Sequence, residues 1–284
     1  MSTLIHPTAV IDPGAELGVD VQIGPYAVVG PAVKIGDRTR IGPQVVIDGV
    51  TSLGADNIIV GQANLGGAPQ DFSYKGEATQ LTIGDGNTIR EFVTINRGTI
   101  KGGGVTSLGS NCLLMACSHV AHDCELEDYV ILGNNVMLAG HVLVEHHANL
   151  SGGSAAHHFC TVGRYAYVGA MTRMLRDAPP FMIVEGHASR VRGVNIIGLQ
   201  RDGVKDEDIE ELRHYFKRIF RSGDPRRRVL DELGSMPDRS EPVGHLIDSM
   251  RRTEMGLKGR YRETLREEFT REGVARILES SEAQ

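Results

Sequence analysis

Stepping by six from Ile5 lands on Ile11, Leu17, Ile23, Val29, Ile35, Ile41 and Ile47, and reaches Leu65 without meeting a polar residue. Asp71 and Glu77 interrupt the series, and Ile83, Ile89 and Ile95 resume it in phase. A one-residue shift within Thr99–Ser107 then carries it from Leu108 to Met174. Of these 28 positions 24 are Leu, Ile or Val, and glycine follows the apolar residue at 12 of them. A six-residue period held this long is a hexapeptide β-helix signal. Each hexapeptide supplies one short strand and one turn, and three of them close a triangular coil of 18 residues. The apolar residue points inward. So does the residue four places later, which has to be small: Ala9, Ala15, Val21, Ala27, Cys112, Cys124, Val136, Ala148, Cys160. Three of the four cysteines fall at that position and read as small core hydrophobes; Cys117, which does not, also reads as structural. Without CxxC spacing they fit a reduced, cytoplasmic protein better than a disulfide scaffold.

The period ends near Ala178-Pro179-Pro180, and the composition changes with it. Residues 1–190 hold 28 charged side chains and carry the whole net charge of −6, whereas the 94 residues of 191–284 hold 38 and are neutral. The expected fold is therefore mainly β: a parallel β-helix over 1–190 and a C-terminal α-helical domain over 191–284. Within the latter, Lys205–Arg221 puts Ile209, Leu212, Phe216 and Phe220 on one face. Its acidic residues come first and its basic ones last, as the helix dipole favours. Pro225–Leu233, Val243–Met255 and Arg260–Leu278 are further expected helices, with Tyr261–Gln284 extending the bundle as a solvated helix. Gly66–Gln80 and Thr99–Ser107 break the period and have to leave the prism as loops, where binding residues are commonly carried. No apolar run approaches the ~20 residues of a membrane span, the start has no basic-then-apolar leader, and the charge gives no reason to expect nucleic-acid binding.

Eleven histidines are present, and they crowd between His119 and His158. Residues 18 apart share a column, so His122, Gly140 and His158 form one and Asp123, His141 and Phe159 the next. In repeat register both columns face outward. A flat outer wall makes no pocket, so a cluster there implies an opposing wall, taken to be another subunit.

At these residues the chain resembles the UDP-N-acetylglucosamine 3-O-acyltransferases of lipid A biosynthesis. The segments that carry the likeness are His119-Val-Ala-His122-Asp123-Cys124, Leu138-Ala-Gly140-His141-Val142, Asn111-Cys-Leu-Leu-Met115 and Gly193-Val-Asn195-Ile-Ile-Gly198-Leu199. Ile89–Thr99, Pro69-Gln70-Asp71 and Ile219–Gly223 add to it, so the resemblance spans about residues 5–256. The general rule favours right-handed crossovers, but known hexapeptide solenoids are left-handed, and a left-handed parallel β-helix is what the resemblance implies. It also implies a homotrimer with a cleft between solenoids, and acyl carrier protein and UDP-N-acetylglucosamine as partners, with no metal or organic cofactor. His122 matches the family's general base, Asp123 the carboxylate that orients it, and the Gly140 N–H the oxyanion donor. Asp71, His119, His141, His157, Asn195 and Arg201 match positions lining the cleft or holding the nucleotide sugar, and His158 stands beside them. Ala170, with Gly152 in its column, matches the end of the acyl groove.

Some positions depart from the family pattern: His158 where Gln is usual, Asn96 and Ala188 where His is common, Ser73 where Lys is common. They leave the acyl and sugar preference open, with N-acylation of a 3-amino sugar nucleotide as an alternative of the same chemistry. From a different class, a solenoid with intersubunit zinc, as in gamma-type carbonic anhydrases, needs three histidines converging on one metal. Two coils before His119 and His122, plain counting finds Ile83 and Gly86 instead. A hydroxyl needs a base to become a nucleophile, and an imidazole with a neighbouring carboxylate supplies one.

Overall fold

The computed structural model describes residues 3–237 and 239–282. The six-residue period is realised as three sheets that wall a prism. Leu4–Ile5 lies on the first wall, Val10–Ile11 on the second and Glu16–Leu17 on the third, before Gln22–Ile23 returns to the first. Pairing is parallel at 18-residue spacing, with Leu4 opposite Gln22 and His119 opposite Met137. Two excursions lengthen that spacing: Ile58 faces Thr88, and Thr88 faces Leu113. The surplus leaves the prism after Asn64–Gly67 and around a 3-10 turn at Ile100–Gly102, both where the second wall passes to the third. These are the loops that the broken period requires.

The inward column explains the stability of the stack. Leu114, Leu132 and Leu150 sit one above another with 0% exposure, each side chain contributing ~1.5–3 kcal/mol by leaving water. Cys124, Val136, Ala148 and Cys160 are buried at the small inward position. Burial pushes the Cys112 thiol up to about 11 and that of Cys124 to about 12, so both stay protonated at neutral pH. In successive coils one residue at the same corner adopts left-handed backbone: Asp123 (φ 61°), His141 (65°) and Phe159 (63°). That conformation costs an L-residue roughly 1–2 kcal/mol. It is held by bonds to the preceding coil, from His141 N–H to the His122 carbonyl (3.0 Å) and from Phe159 N–H to the Gly140 carbonyl (3.2 Å).

Met182–Glu185 is the last parallel strand of the first wall and turns back as an antiparallel hairpin with Arg190–Val194. Helices α1 (Ile196–Arg201), α2 (Asp206–Arg221), α3 (Arg226–Gly234) and α4 (Glu241–Met255) follow. Ile209, Leu212, Tyr215 and Ile219 of α2 pack with Val229, Leu230 and Leu233 of α3 and with Val243, Leu246, Ile247 and Met250 of α4. Phe216 and Phe220, expected on the buried face of α2 with Ile209 and Leu212, are only partly buried at its edge. After a 3-10 turn at Arg262–Leu265 comes α5 (Arg266–Glu282). It does not extend the bundle: among the described residues none of its side chains enters that second core, and it lies instead against the turn Ile100–Gly102. Residues 283 and 284 of the expected tail fall outside the described residues. No described helix is long and apolar enough to cross a membrane.

Candidate active site

The corner between the second and third walls carries His122, His141, His157 and His158, with His119 just before it, while His146 and His147 lie at the corner between the third and first walls. His122 Nδ1 donates to Asp123 Oδ2 (2.7 Å); a carboxylate only accepts, so this nitrogen carries the proton and Nε2 is left as the acceptor. Asp123 is itself held from the loop, accepting from Thr99 N–H and Thr99 Oγ1 (both 2.6 Å), while its own N–H donates to Thr106 Oγ1 (2.8 Å). The loop approaches so closely that a Cβ on Gly102 would lie 1.9 Å from Asp123 Cγ. Neither Thr99 nor Thr106 is recognisable as a site residue from the sequence; Thr99 gives one hint, its place where the period slips.

One coil further on, Gly140 lies against the His122 ring. A Cβ there would stand 2.6 Å from His122 Cε1 and 2.9 Å from Nε2, so the imidazole occupies space that only glycine vacates. Among the described residues neither His122 Nε2 nor the Gly140 N–H has a hydrogen-bond partner. His141 meets His122 edge to face (5.3 Å between centroids) and stacks on Phe159 (4.2 Å, 6° between planes).

Contrary to the outward reading, His122 and His141 are only 7% and 8% exposed. The register is as expected; what covers the corner is the loop around Thr99 and the C-terminal segment, whose Arg262 Nε donates to the His141 carbonyl (3.2 Å). Burial is the main reason the His141 pKa falls to about 4, with His122 adding to the fall and Asp123 opposing it. His119, hydrogen-bonded to Thr94 Oγ1 (2.7 Å), is lowered by burial and by His122, and His158 by burial and by His157. Neutral imidazoles therefore surround His122. Asp71 is held below the usual carboxylate range, chiefly by the Ser73 N–H (2.7 Å) and then by the Ser73 hydroxyl, with burial opposing them. Asp71, His119, His157 and His158 all belong to this side of the prism, the last two exposed.

Other expected site residues are elsewhere in the chain. Asn195 donates to the Tyr165 carbonyl (2.8 Å) and caps α1 by accepting from Gly198 N–H (3.2 Å), which puts it, with Arg201, near the corner between the third and first walls. Gly152 and Ala170 sit at the corner between the first and second walls, where Met171 N–H donates to the Gly152 carbonyl (3.0 Å). One chain does not bring these groups to His122.

His122, Asp123 and His141 each offer a donor atom within 4.8 Å of the others. The Asp123 oxygens are already occupied by Thr99 and by His122 Nδ1–H, and His141 Nε2 is 3.7 Å from the same carboxylate. A metal would have to displace those bonds, so the set fits an oriented base better than a metal cage.

Residues 177–258 match the family described as UDP-N-acetylglucosamine O-acyltransferase, domain 2, and residues 14–49 and 106–140 match the bacterial transferase hexapeptide family. The chain is 47% identical over 253 residues to the acyl-(acyl-carrier-protein)–UDP-N-acetylglucosamine O-acyltransferase of Anaeromyxobacter sp. (strain K), covering 89% of this chain and 98% of the relative. It is 50% identical over 255 residues to that of Alkalilimnicola ehrlichii, covering 90% and 99%. Among solved structures, LpxA of Acinetobacter baumannii superposes with a TM-score of 0.83 at 41% identity over 86% of this chain and 95% of its own. The UDP-N-acetylglucosamine acyltransferase of Bacteroides fragilis does so with a TM-score of 0.85 at 36% identity over 87% and 97%. The prism is thus the left-handed parallel β-helix of these proteins. On this likeness across nearly the whole of its relatives, the chain belongs to the acyl-(acyl-carrier-protein)–UDP-N-acetylglucosamine O-acyltransferase family.

Proposed function

We propose that the protein transfers a 3-hydroxyacyl group from acyl carrier protein to the 3-hydroxyl of UDP-N-acetylglucosamine, the first step of lipid A biosynthesis. The observation that carries this reading is His122, oriented by Asp123 at 2.7 Å and lying against Gly140, with neither its Nε2 nor the Gly140 N–H hydrogen-bonded among the described residues. Nε2 takes the hydroxyl proton as the oxygen attacks the thioester carbonyl. The tetrahedral oxyanion accepts from the Gly140 N–H. As the intermediate collapses, the C–S bond breaks and the proton on His122 passes to the departing sulfur, leaving the base as it began. Transfer is direct, so the protonated, buried cysteines have no part in it. Asp71, His119, His141, His157 and His158 line the sugar and acyl side of that corner. The test is to supply the purified protein with UDP-N-acetylglucosamine and 3-hydroxyacyl carrier proteins of several lengths and to weigh the products. Release of free carrier protein without an acylated sugar nucleotide would sink the reading.

Asn195 and Arg201 face a different corner, so they serve the nucleotide only if a neighbouring solenoid brings them to His122. A threefold arrangement supplies three equivalent clefts of this kind. The expected assembly is a homotrimer of about 92 kDa, three chains of 30.8 kDa; a monomer by light scattering at micromolar concentration would refute it.

Gly152 and Ala170, at the third corner, are proposed to bound the acyl chain. Ala170 is exposed there, so added bulk projects into the groove rather than into the prism core. Ala170→Met is expected to shift the preferred acyl chain shorter, and Ala170→Gly longer. Identical chain-length profiles in wild type and both variants would place the ruler elsewhere.

A further inference from the structure

The matched family region stops at residue 258, and a further segment follows it. That segment is anchored where it starts. Asp177 N–H donates to the Gly259 carbonyl (2.8 Å), Arg260 Nη1 donates to the Leu175 carbonyl (2.8 Å), and Tyr261 N–H donates to Asp177 Oδ2 (3.1 Å). From there it runs to the corner that holds His122 and grips both halves of the catalytic arrangement.

The first grip is on the turn that carries Asp123's partners. Gly273 of α5 packs so tightly on the 3-10 turn that a Cβ would stand 2.0 Å from the Ile100 carbonyl oxygen. Thr270 Oγ1 lies 3.4 Å from the Lys101 carbonyl oxygen. The residue that opens this turn is Thr99, whose N–H and hydroxyl both bond the Asp123 carboxylate. The second grip is on the Gly140–His141 side. Arg262, its side chain 11% exposed, donates through Nε to the His141 carbonyl and through Nη2 to Glu125 Oε1, with its guanidinium over the Phe269 ring of α5 (4.9 Å). Arg266 lies over Phe159 (4.3 Å), whose other neighbour in the stack is His141.

We infer that residues 261–282 are a positioning strap for the acyl-transfer site, holding the Asp123–His122 pair through the Thr99–Gly104 loop and the Gly140–His141 turn through Arg262. Arg262 and Gly273 are positioning residues, since neither touches the reacting atoms. This inference rests on the proposed role of His122. The strap leaves His157 and His158 exposed, so it closes one side of the corner without sealing it.

A misplacement of about 1 Å at a catalytic group can cost of order 10²-fold in rate, whereas substrate contacts made away from the strap are untouched. In the full-length protein, Arg262→Ala and Gly273→Leu are each expected to lower kcat by about 10- to 100-fold, with KM for UDP-N-acetylglucosamine within about threefold of wild type. Arg262→Lys, which lacks the planar fork and reaches one acceptor at a time, should fall between wild type and Arg262→Ala. Val274→Ala, on the exposed side of α5, should behave as wild type. Circular dichroism and light scattering on each variant establish that fold and assembly are intact. Wild-type kcat in both Arg262→Ala and Gly273→Leu would overturn the strap. So would a loss of turnover seen only together with loss of the folded assembly. His122→Ala run in parallel separates the two ideas: if it too keeps full turnover, the assignment of the base has failed, and if it alone is inactive, only the strap has.

Discussion

His122→Ala is expected to lower kcat by about 10²–10⁴-fold, the usual cost of losing a general base, while the folded assembly persists. The side chain is buried by loops laid over the corner and does not belong to the prism core, so its removal leaves the column of Leu114, Leu132 and Leu150 untouched. His122→Asn sharpens the test, since Asn keeps polarity and approximate size but takes no proton near neutral pH. Steady-state kinetics on both variants decides the point. Near wild-type turnover in either would move the base to another residue. His141 is the next candidate by position, yet with a pKa of about 4 it would be a weak proton acceptor at pH 7. His158→Gln should leave kcat within about tenfold, because a group that lines the cleft mostly affects KM.

Gly140→Ala should be nearly as damaging, for a steric reason. The added methyl would lie 2.6 Å from His122 Cε1, well inside contact distance, so either the imidazole swings off its bond to Asp123 or the turn shifts the N–H that receives the oxyanion. Loss of one oxyanion donor alone typically costs 10²–10³ in kcat; displacement of the base acts on the same step, so the two losses are not additive. We expect a fall of at least about 10²-fold with KM for the sugar nucleotide much less affected. Gly193→Ala is a suitable control, because nothing lies within 4 Å of the Cβ it would add. Turnover of Gly140→Ala within a few-fold of wild type would show that this peptide does not face the reaction.

The prism was legible because its period specifies both which side chains point inward and which residues stand above one another. His122 over Gly140, and Asp123 beneath His141 and Phe159, follow from an 18-residue count alone. Burial of that corner does not follow, since periodicity says nothing about what crosses the wall from outside. Thr99 belongs to a loop that has left the repeat. The return of α5 is equally silent in the sequence. Its contact with the Ile100 turn is a glycine against a carbonyl, and Val274 and Leu278 are 46% and 60% exposed, so no apolar stripe announces a docking face. The buried α2 face differs by one position from the expected one for a related reason. A window of Ile209, Leu212, Phe216 and Phe220 satisfies helical spacing as well as Ile209, Leu212, Tyr215 and Ile219 do, and only the placement of α3 and α4 selects between them. The motif around Asn195 marks it as an expected site residue, but the helix it caps is invisible to a motif.

The two excursions from the prism divide the chain into parts that tolerate change in length very differently. Thirty residues separate Ile58 from its partner Thr88, and twenty-five separate Thr88 from Leu113, where eighteen is the rule, yet every inward side chain above and below keeps its place. Residues gained or lost in those excursions leave the stack of coils intact and act on the loops beside His122, among them the one whose Thr99 bonds Asp123. Between Val120 and Leu138 no such slack exists, and a single inserted residue would turn the alternation inside out and carry Gly140 away from the imidazole. Variation in length among proteins built this way can therefore reshape what the site admits while the distance between its base and its oxyanion donor stays constant.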